Sequence, residues 1–225
     1  MPISWELASR TMGTAIFVFR PTMENYLSFA LLFALGMSHA FPDDSRCVAE
    51  LFQQLQQPSS TDQAAAELLK IGRGDRNAKP YLAKHLPDII GKTPTNRYVW
   101  LNSVRLAGAF RITEAIQVLA ENISCATEES SVGGITSRYR LVGFPCGRAL
   151  VEIGEPAVPE LTKILNSGDL SRQWIAYRAL FLIGTSRAMV VLRDYATTEP
   201  NEAFKTEIKI ALENWQPPSQ GHHIN

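Results

Sequence analysis

Nucleophilic, general-base and metal-ligand chemistry draw heavily on histidine and cysteine, and this 225-residue chain holds four of the first and three of the second. His39 falls in an N-terminal apolar stretch and His222 and His223 stand in the tail, which leaves His85 to the body. A Ser-His-Asp arrangement or a multi-histidine zinc site would have to form around that one ring. Its place three residues after Leu82, on a helix edge, reads as structural. The adjacent tail histidines lack further ligands and make a weak metal site. Cys47, Cys125 and Cys146 contain no CxxC pair, so the strongest sequence argument for zinc or redox chemistry is missing. A disulfide between Cys125 and Cys146 is one option in an oxidising compartment. The preferred reading is a buried free thiol at Cys146, because its equivalents in the repeat described below are apolar.

The remaining candidates for chemistry are modest. Gly133-Gly134 is not followed by Gly-Lys-Ser/Thr and is a hinge, not a phosphate loop. Arg73-Gly74-Asp75 spells an adhesion tripeptide, but a turn between helices favours Gly and Asp for backbone reasons. Asn122-Ile123-Ser124 matches a glycosylation acceptor, relevant only in a eukaryotic secretory pathway. Trp100, Trp174 and Phe181 fit packing between helices better than a stacking surface. Arg138, Tyr139 and Arg140 are the foremost candidates for exposed recognition, against a bland reading as solvated charges opening a helix. No catalytic residue, metal ligand or cofactor is expected.

These residues sit in a chain with 45% hydrophobic and 20% charged residues, ordinary for a folded globular protein. Its 22 basic and 22 acidic side chains cancel, so no net field draws it to nucleic acid or an anionic membrane. Residues 26–37 (YLSFALLFALGM) form an apolar run ending in Ser38-His39-Ala40. The pattern is that of a secretory leader cut before Phe41, and the run is too short for the roughly 20 apolar residues that span a bilayer. Glu24 and a second apolar patch at residues 12–19 fit less well, and Met12 or Met23 are alternative starts. The competing reading is an N-terminal helix packed on the body. A cleaved leader implies a secreted or periplasmic protein without a stable membrane span, and an uncleaved one a cytoplasmic protein.

Four segments repeat: AAAELLKIG ending at Gly72, WLNSVRLAG at Gly108, CGRALVEIG at Gly154 and AYRALFLIG at Gly184. Aligned on the glycine, the residue just before it is Ile71, Ala107, Ile153 or Ile183. Four before it stand Leu68, Val104, Leu150 and Leu180, and eight before it Ala64, Trp100, Cys146 and Ala176. Such spacing makes one helical stripe, and the glycine after it is a helix-stop signal. A second stripe of helical period follows each glycine, as in Ile112, Ala115, Ile116 and Leu119 or in Ala188, Val191, Leu192 and Tyr195. In the first unit Pro80 is expected to delay the second helix to about Tyr81. The units are therefore helix-turn-helix pairs that bury their apolar faces only against neighbours. From Gly72 to Gly108, Gly154 and Gly184 the steps are 36, 46 and 30 residues, so the second carries an insertion within residues 124–139. A loop of that length is usually functional or disordered.

Residues 153–165 (IGEPAVPELTKIL) and 178–192 (RALFLIGTSRAMVVL) resemble HEAT repeats, closest to the short bacterial kind also found in phycobilisome lyase subunits. The likeness covers about residues 61–198, and Pro156 and Pro159 suit the first turn of its second helix. The expected fold is all-α, a right-handed α-solenoid of about four HEAT-like pairs with a helical cap at each end. The expected organisation is a leader at 1–40, a repeat domain at 41–215 and a flexible tail at 216–225. Its units are about 61–91, 96–124, 140–167 and 170–198, with caps at 44–57 and 201–215.

The expected function is a non-enzymatic scaffold or adaptor for an unidentified protein partner. It would bind through the 124–139 insertion or through second helices on a concave side, where Glu114, Gln117, Glu121, Glu160, Lys163 and Arg193 are expected exposed. The resemblance also implies a lyase or chaperone-lyase role as an alternative, with no matching catalytic residues to carry over. Nucleic-acid binding, the least favoured class, would require Arg97, Arg105, Arg111, Arg138, Arg140 and Arg148 to share one face. The export reading predicts that N-terminal sequencing of protein purified from its source begins at Phe41, and an intact start would overturn it.

Overall fold

Helix is what the 3.6-residue periodicity of this sequence asks for, and ten α-helices occur among the described residues of the computed structural model. It describes residues 44–72, 77–92, 96–127 and 141–216, within a unit running over Asp43–Asn225. The helices are α1 (Asp44–Leu55), α2 (Thr61–Ile71), α3 (Ala78–Gly91), α4 (Arg97–Ala109) and α5 (Ile116–Glu121). They continue as α6 (Pro145–Ile153), α7 (Val158–Leu165), α8 (Leu170–Ile183), α9 (Ser186–Thr198) and α10 (Glu202–Glu213). Short 3₁₀ turns, Thr113–Ala115 and Glu155–Ala157, lead into α5 and α7. No strand occurs among the described residues, and the protein is all-α. No helix among them is long and apolar enough to cross a membrane.

Local chemistry sets the helix ends. Asn96 Oδ1 accepts from the amides of Tyr98 (2.9 Å) and Val99 (3.2 Å), capping α4. Asp169 does the same for Ser171 and Arg172 at the start of α8, and Asn201 for Ala203 and Phe204 at the start of α10. Each such cap satisfies amides that lack an intrahelical partner and contributes about 1 kcal/mol. Pro80 lies in the first turn of α3, which begins at Ala78, so it does not delay the helix to Tyr81 as its ring chemistry suggested. A proline there forfeits no hydrogen bond, because first-turn amides have no intrahelical acceptor.

The repeat stripes are the core. Leu68, Val104, Leu150 and Leu180 are all buried, as are Ala64, Trp100, Cys146 and Ala176. So are Leu82, Leu86, Ile112, Leu119, Val158, Leu161, Ala188 and Leu192 from the second helices. Packing follows two rows. The first helices touch in succession, α2 on α4, α4 on α6 and α6 on α8, while α3, α5, α7 and α9 succeed one another alongside. At the ends α1 packs on α2 and α10 on α9, as caps of a repeat-like stack do. The aromatic and histidine side chains serve this packing. His85 packs at a tilt against Tyr81 (ring centroids 4.6 Å apart) and Phe52 (5.5 Å), and Trp100 donates its indole N–H to the Ile90 carbonyl at 3.1 Å. Between α9 and α10 the Tyr195 hydroxyl donates to Glu199, whose other carboxylate oxygen accepts from the Asn201 amide at 2.8 Å. Burial, followed by the Glu199 hydrogen bond and charge, holds the Tyr195 phenol well above its ordinary pKa.

The four aligned glycines divide into two kinds. Gly154 and Gly184 have positive φ (87° and 64°) and end their helices, as a helix-stop glycine should. Gly108 instead lies inside α4, which continues to Ala109, so the stop expected there is displaced. A Cβ on Gly108 would stand 3.0 Å from Ala149 Cα and 2.5 Å from the Glu152 carboxylate on α6. Its missing side chain lets two helices approach. Gly72 ends α2 with ordinary helical dihedrals (φ −64°), and its bare Cα accommodates the Phe110 ring.

Gly108→Ala should therefore destabilise the protein by about 1–3 kcal/mol through overpacking. Gly91→Ala, whose nearest neighbour would be Val118 Cγ1 at 3.5 Å, should be neutral or gain up to about 1 kcal/mol of helix propensity. Urea unfolding of the two variants checks the contrast.

Candidate binding groove

An open groove of about 1090 Å³ runs along the outer side of the first-helix row. Its middle wall is α4, where Arg97, Leu101 and Arg105 recur every fourth residue beside Tyr98, Asn102 and Ala109. This stripe is exposed because the opposite side of the same helix, carrying Trp100, Ser103 and Ala107, is turned into the core. Leu69, Gly72 and Lys79 border the groove from α2 and α3, and Pro145, Arg148, Ala149 and Glu152 border it from α6. The volume exceeds the upper end of ordinary small-molecule pockets, roughly 1,000 Å³, and its open form suits a chain segment better than an enclosed ligand.

The groove is strongly one-signed. Among the described residues Lys79, Arg97, Arg105, Arg111 and Arg148 line it against the one carboxylate of Glu152. Arg148 Nε lies 3.3 Å from Glu152 Oε1, and the Arg97 guanidinium donates to the Ala126 carbonyl at 3.3 Å. Lys79, Arg105 and Arg111 have no carboxylate partner among the described residues. Within the same walls Asn102 donates to Asp62 Oδ1 (2.7 Å) and Thr61 Oγ1 (3.3 Å), tying α4 to the start of α2.

Arg111 carries the most informative backbone. Its amide donates to the Gly108 carbonyl (2.8 Å) and that of Ile112 to the Ala107 carbonyl (2.9 Å), the paired bonds that close a helix through a left-handed residue. That residue is Arg111 itself, at φ 51°. Glycine is the usual occupant, and a residue with a Cβ costs about 1 kcal/mol more there. The helix stop that Gly108 does not supply thus falls on an exposed arginine whose side chain lines the groove.

The expected recognition residues lie elsewhere. Glu114, Gln117, Glu121, Lys163 and Arg193 are exposed on the second-helix row and Glu160 is half-buried there, paired with Lys163 at 2.7 Å. None of them lines the main groove. Arg193 borders a second, smaller hollow with Lys205 and Lys209 between α9 and α10. Arg138, Tyr139 and Arg140 lie outside the described residues, as do residues 1–43, the Arg-Gly-Asp turn and residues 217–225. The stems of the insertion are nonetheless in place, with the Thr127 amide donating to the Gly143 carbonyl at 2.9 Å. Thr127 and Val142 both line the groove, so the insertion leaves and rejoins the body at its rim. Four of the six arginines whose convergence would mark a polyanion surface (Arg97, Arg105, Arg111 and Arg148) line it together. Lys79, Tyr98 and Asn102 join them without having been singled out in the sequence.

Cys47, Cys125 and Cys146 are free thiols. Burial, with a smaller contribution from nearby Cys125, pushes the Cys146 thiol far above its ordinary range. Among the described residues no three His, Cys, Asp or Glu side chains gather as a metal site. Fold and groove together define an all-α, helical-repeat-like protein with a basic cleft. No family model matches the chain, and no curated protein does. A crystal structure of an engineered protein is similar to it at 20% identity, over 74% of this chain and 95% of that one. Its TM-score is 0.29, too low to carry an argument.

The thiolate is the reactive form of cysteine, so exposure and pKa predict the order of alkylation. Exposed Cys125 should react with iodoacetamide in the native protein, whereas Cys146 should react only once the chain is unfolded in denaturant. Mass spectrometry of tryptic peptides reads the order directly.

Proposed function

We propose that this protein is a non-catalytic binding scaffold, a stack of HEAT-like helical pairs that holds a protein partner in the groove along its first helices. The observation that carries the reading is the open groove of about 1090 Å³ with both stems of the insertion on its rim. Stacked helices hold their side chains in place before a partner arrives, so docking costs little conformational entropy. The insertion then supplies a second contact beside the first. An exported location belongs to the same reading and rests on residues 26–40 alone.

The test is affinity capture from the source organism's extract with the full chain, tagged at its C-terminus, beside a copy lacking residues 128–138. A defined protein retained by the first and weakened several-fold or more on the second is the expected result. Recovery of a nucleic acid or a small molecule in place of a protein would overturn the scaffold reading.

A further inference from the structure

We infer that the groove takes an extended acidic peptide, a segment of the partner protein in which carboxylates are interspersed with apolar side chains. This rests on the scaffold reading and names its ligand. Among the described residues five cations line the groove against one carboxylate, although the whole chain has no net charge, so the groove is a locally positive surface. Lys79, Arg105 and Arg111 have no carboxylate partner among the described residues and can meet an incoming anion without breaking an ion pair. Apolar side chains share these walls, Leu69, Leu101, Val142 and Pro145 among them, and can take the apolar side chains of a bound segment. Single-stranded nucleic acid is held by aromatic platforms, and Tyr98, 64% exposed, is the one aromatic side chain among the described residues standing clear of the surface here.

The left-handed arginine is a second observation at the groove. Glycine would relieve the backbone at position 111, as it would at Leu141 (φ 55°), but Leu141 is buried in the core whereas Arg111 is exposed and lines the groove.

The experiment is selection of a displayed library of random peptides, about twelve residues long, on the full chain. The enriched peptides and a single-stranded oligonucleotide are then titrated against the wild type, an Arg105→Glu/Arg111→Glu double variant and Arg111→Gly, each checked for folding by thermal melting. Enriched peptides should be acidic with interspersed apolar residues, should weaken as ionic strength rises past about 0.15 M, and should bind the double variant at least about tenfold less tightly. Arg111→Gly should bind them several-fold less tightly while melting about 2–4 °C higher, a combination that a packing role would not produce. Enrichment of neutral or basic peptides, or equal binding by the double variant, would overturn the inference and leave the scaffold reading standing. No enrichment, with or without salt-sensitive binding of the oligonucleotide, would also overturn it, and binding of the oligonucleotide alone would overturn both.

Discussion

The close approach of α4 to α6 is the contact on which the groove depends. It exists because Gly108 has no side chain where Ala149 and Glu152 come nearest. Holding these helices together brings the exposed stripes of both onto one surface, Arg97 and Arg105 from the first and Arg148 and Glu152 from the second. Close packing has a further consequence at the end of α4. A glycine used for helix contact is not available as the left-handed stop, so the chain turns at Arg111, three residues later. One packing requirement thereby determines both the shape of the groove and the placement of one of its cations.

Charge and packing are separated by helix face. The inner stripe of α4, with Trp100, Val104 and Ala107, joins the core that runs through the stack. Its outer stripe carries cations that gain nothing from each other's company, since like charges so placed repel. Elsewhere some carboxylates pair with lysines of their own helices, in Lys70–Glu67, Lys163–Glu160 and Lys205–Glu202. These exposed pairs contribute little stability. The groove, by contrast, gathers more cations than carboxylates among the described residues of a chain without net charge.

Internal polar contacts keep the rows in register. Asn102 reaches across to Thr61 and Asp62, the Arg172 guanidinium donates to the Ala120 carbonyl at 3.1 Å, and Gln173 donates to the Leu165 carbonyl at 2.9 Å. Arg178 is almost wholly buried among Trp174, Tyr177 and Phe181, with its guanidinium carbon 5.5–5.9 Å from the three rings. Buried polar groups carry a penalty unless they are paired, so contacts of this kind specify one arrangement of neighbouring helices where apolar packing alone tolerates several.

Periodicity by itself determined the helical pairs, their core stripes and the capping helices, because a 3.6-residue repeat of apolar side chains has one way to be buried. It also located the insertion, since a 46-residue step between equivalent glycines stands out from steps of 36 and 30. The face that carries the groove was decided only by tertiary structure. Attention to the second helices put Glu114, Gln117, Glu121, Glu160, Lys163 and Arg193 forward, while three of the five cations that meet, Arg97, Arg105 and Arg148, stand on first helices up to 51 residues apart in sequence. Net charge is a sum and carries no positions. Nor does a glycine's letter distinguish a helix stop from a helix contact, which is why Gly108 and Gly154 look alike in the alignment and differ in the fold. That difference comes from what packs against each backbone, a property no local stretch of sequence contains.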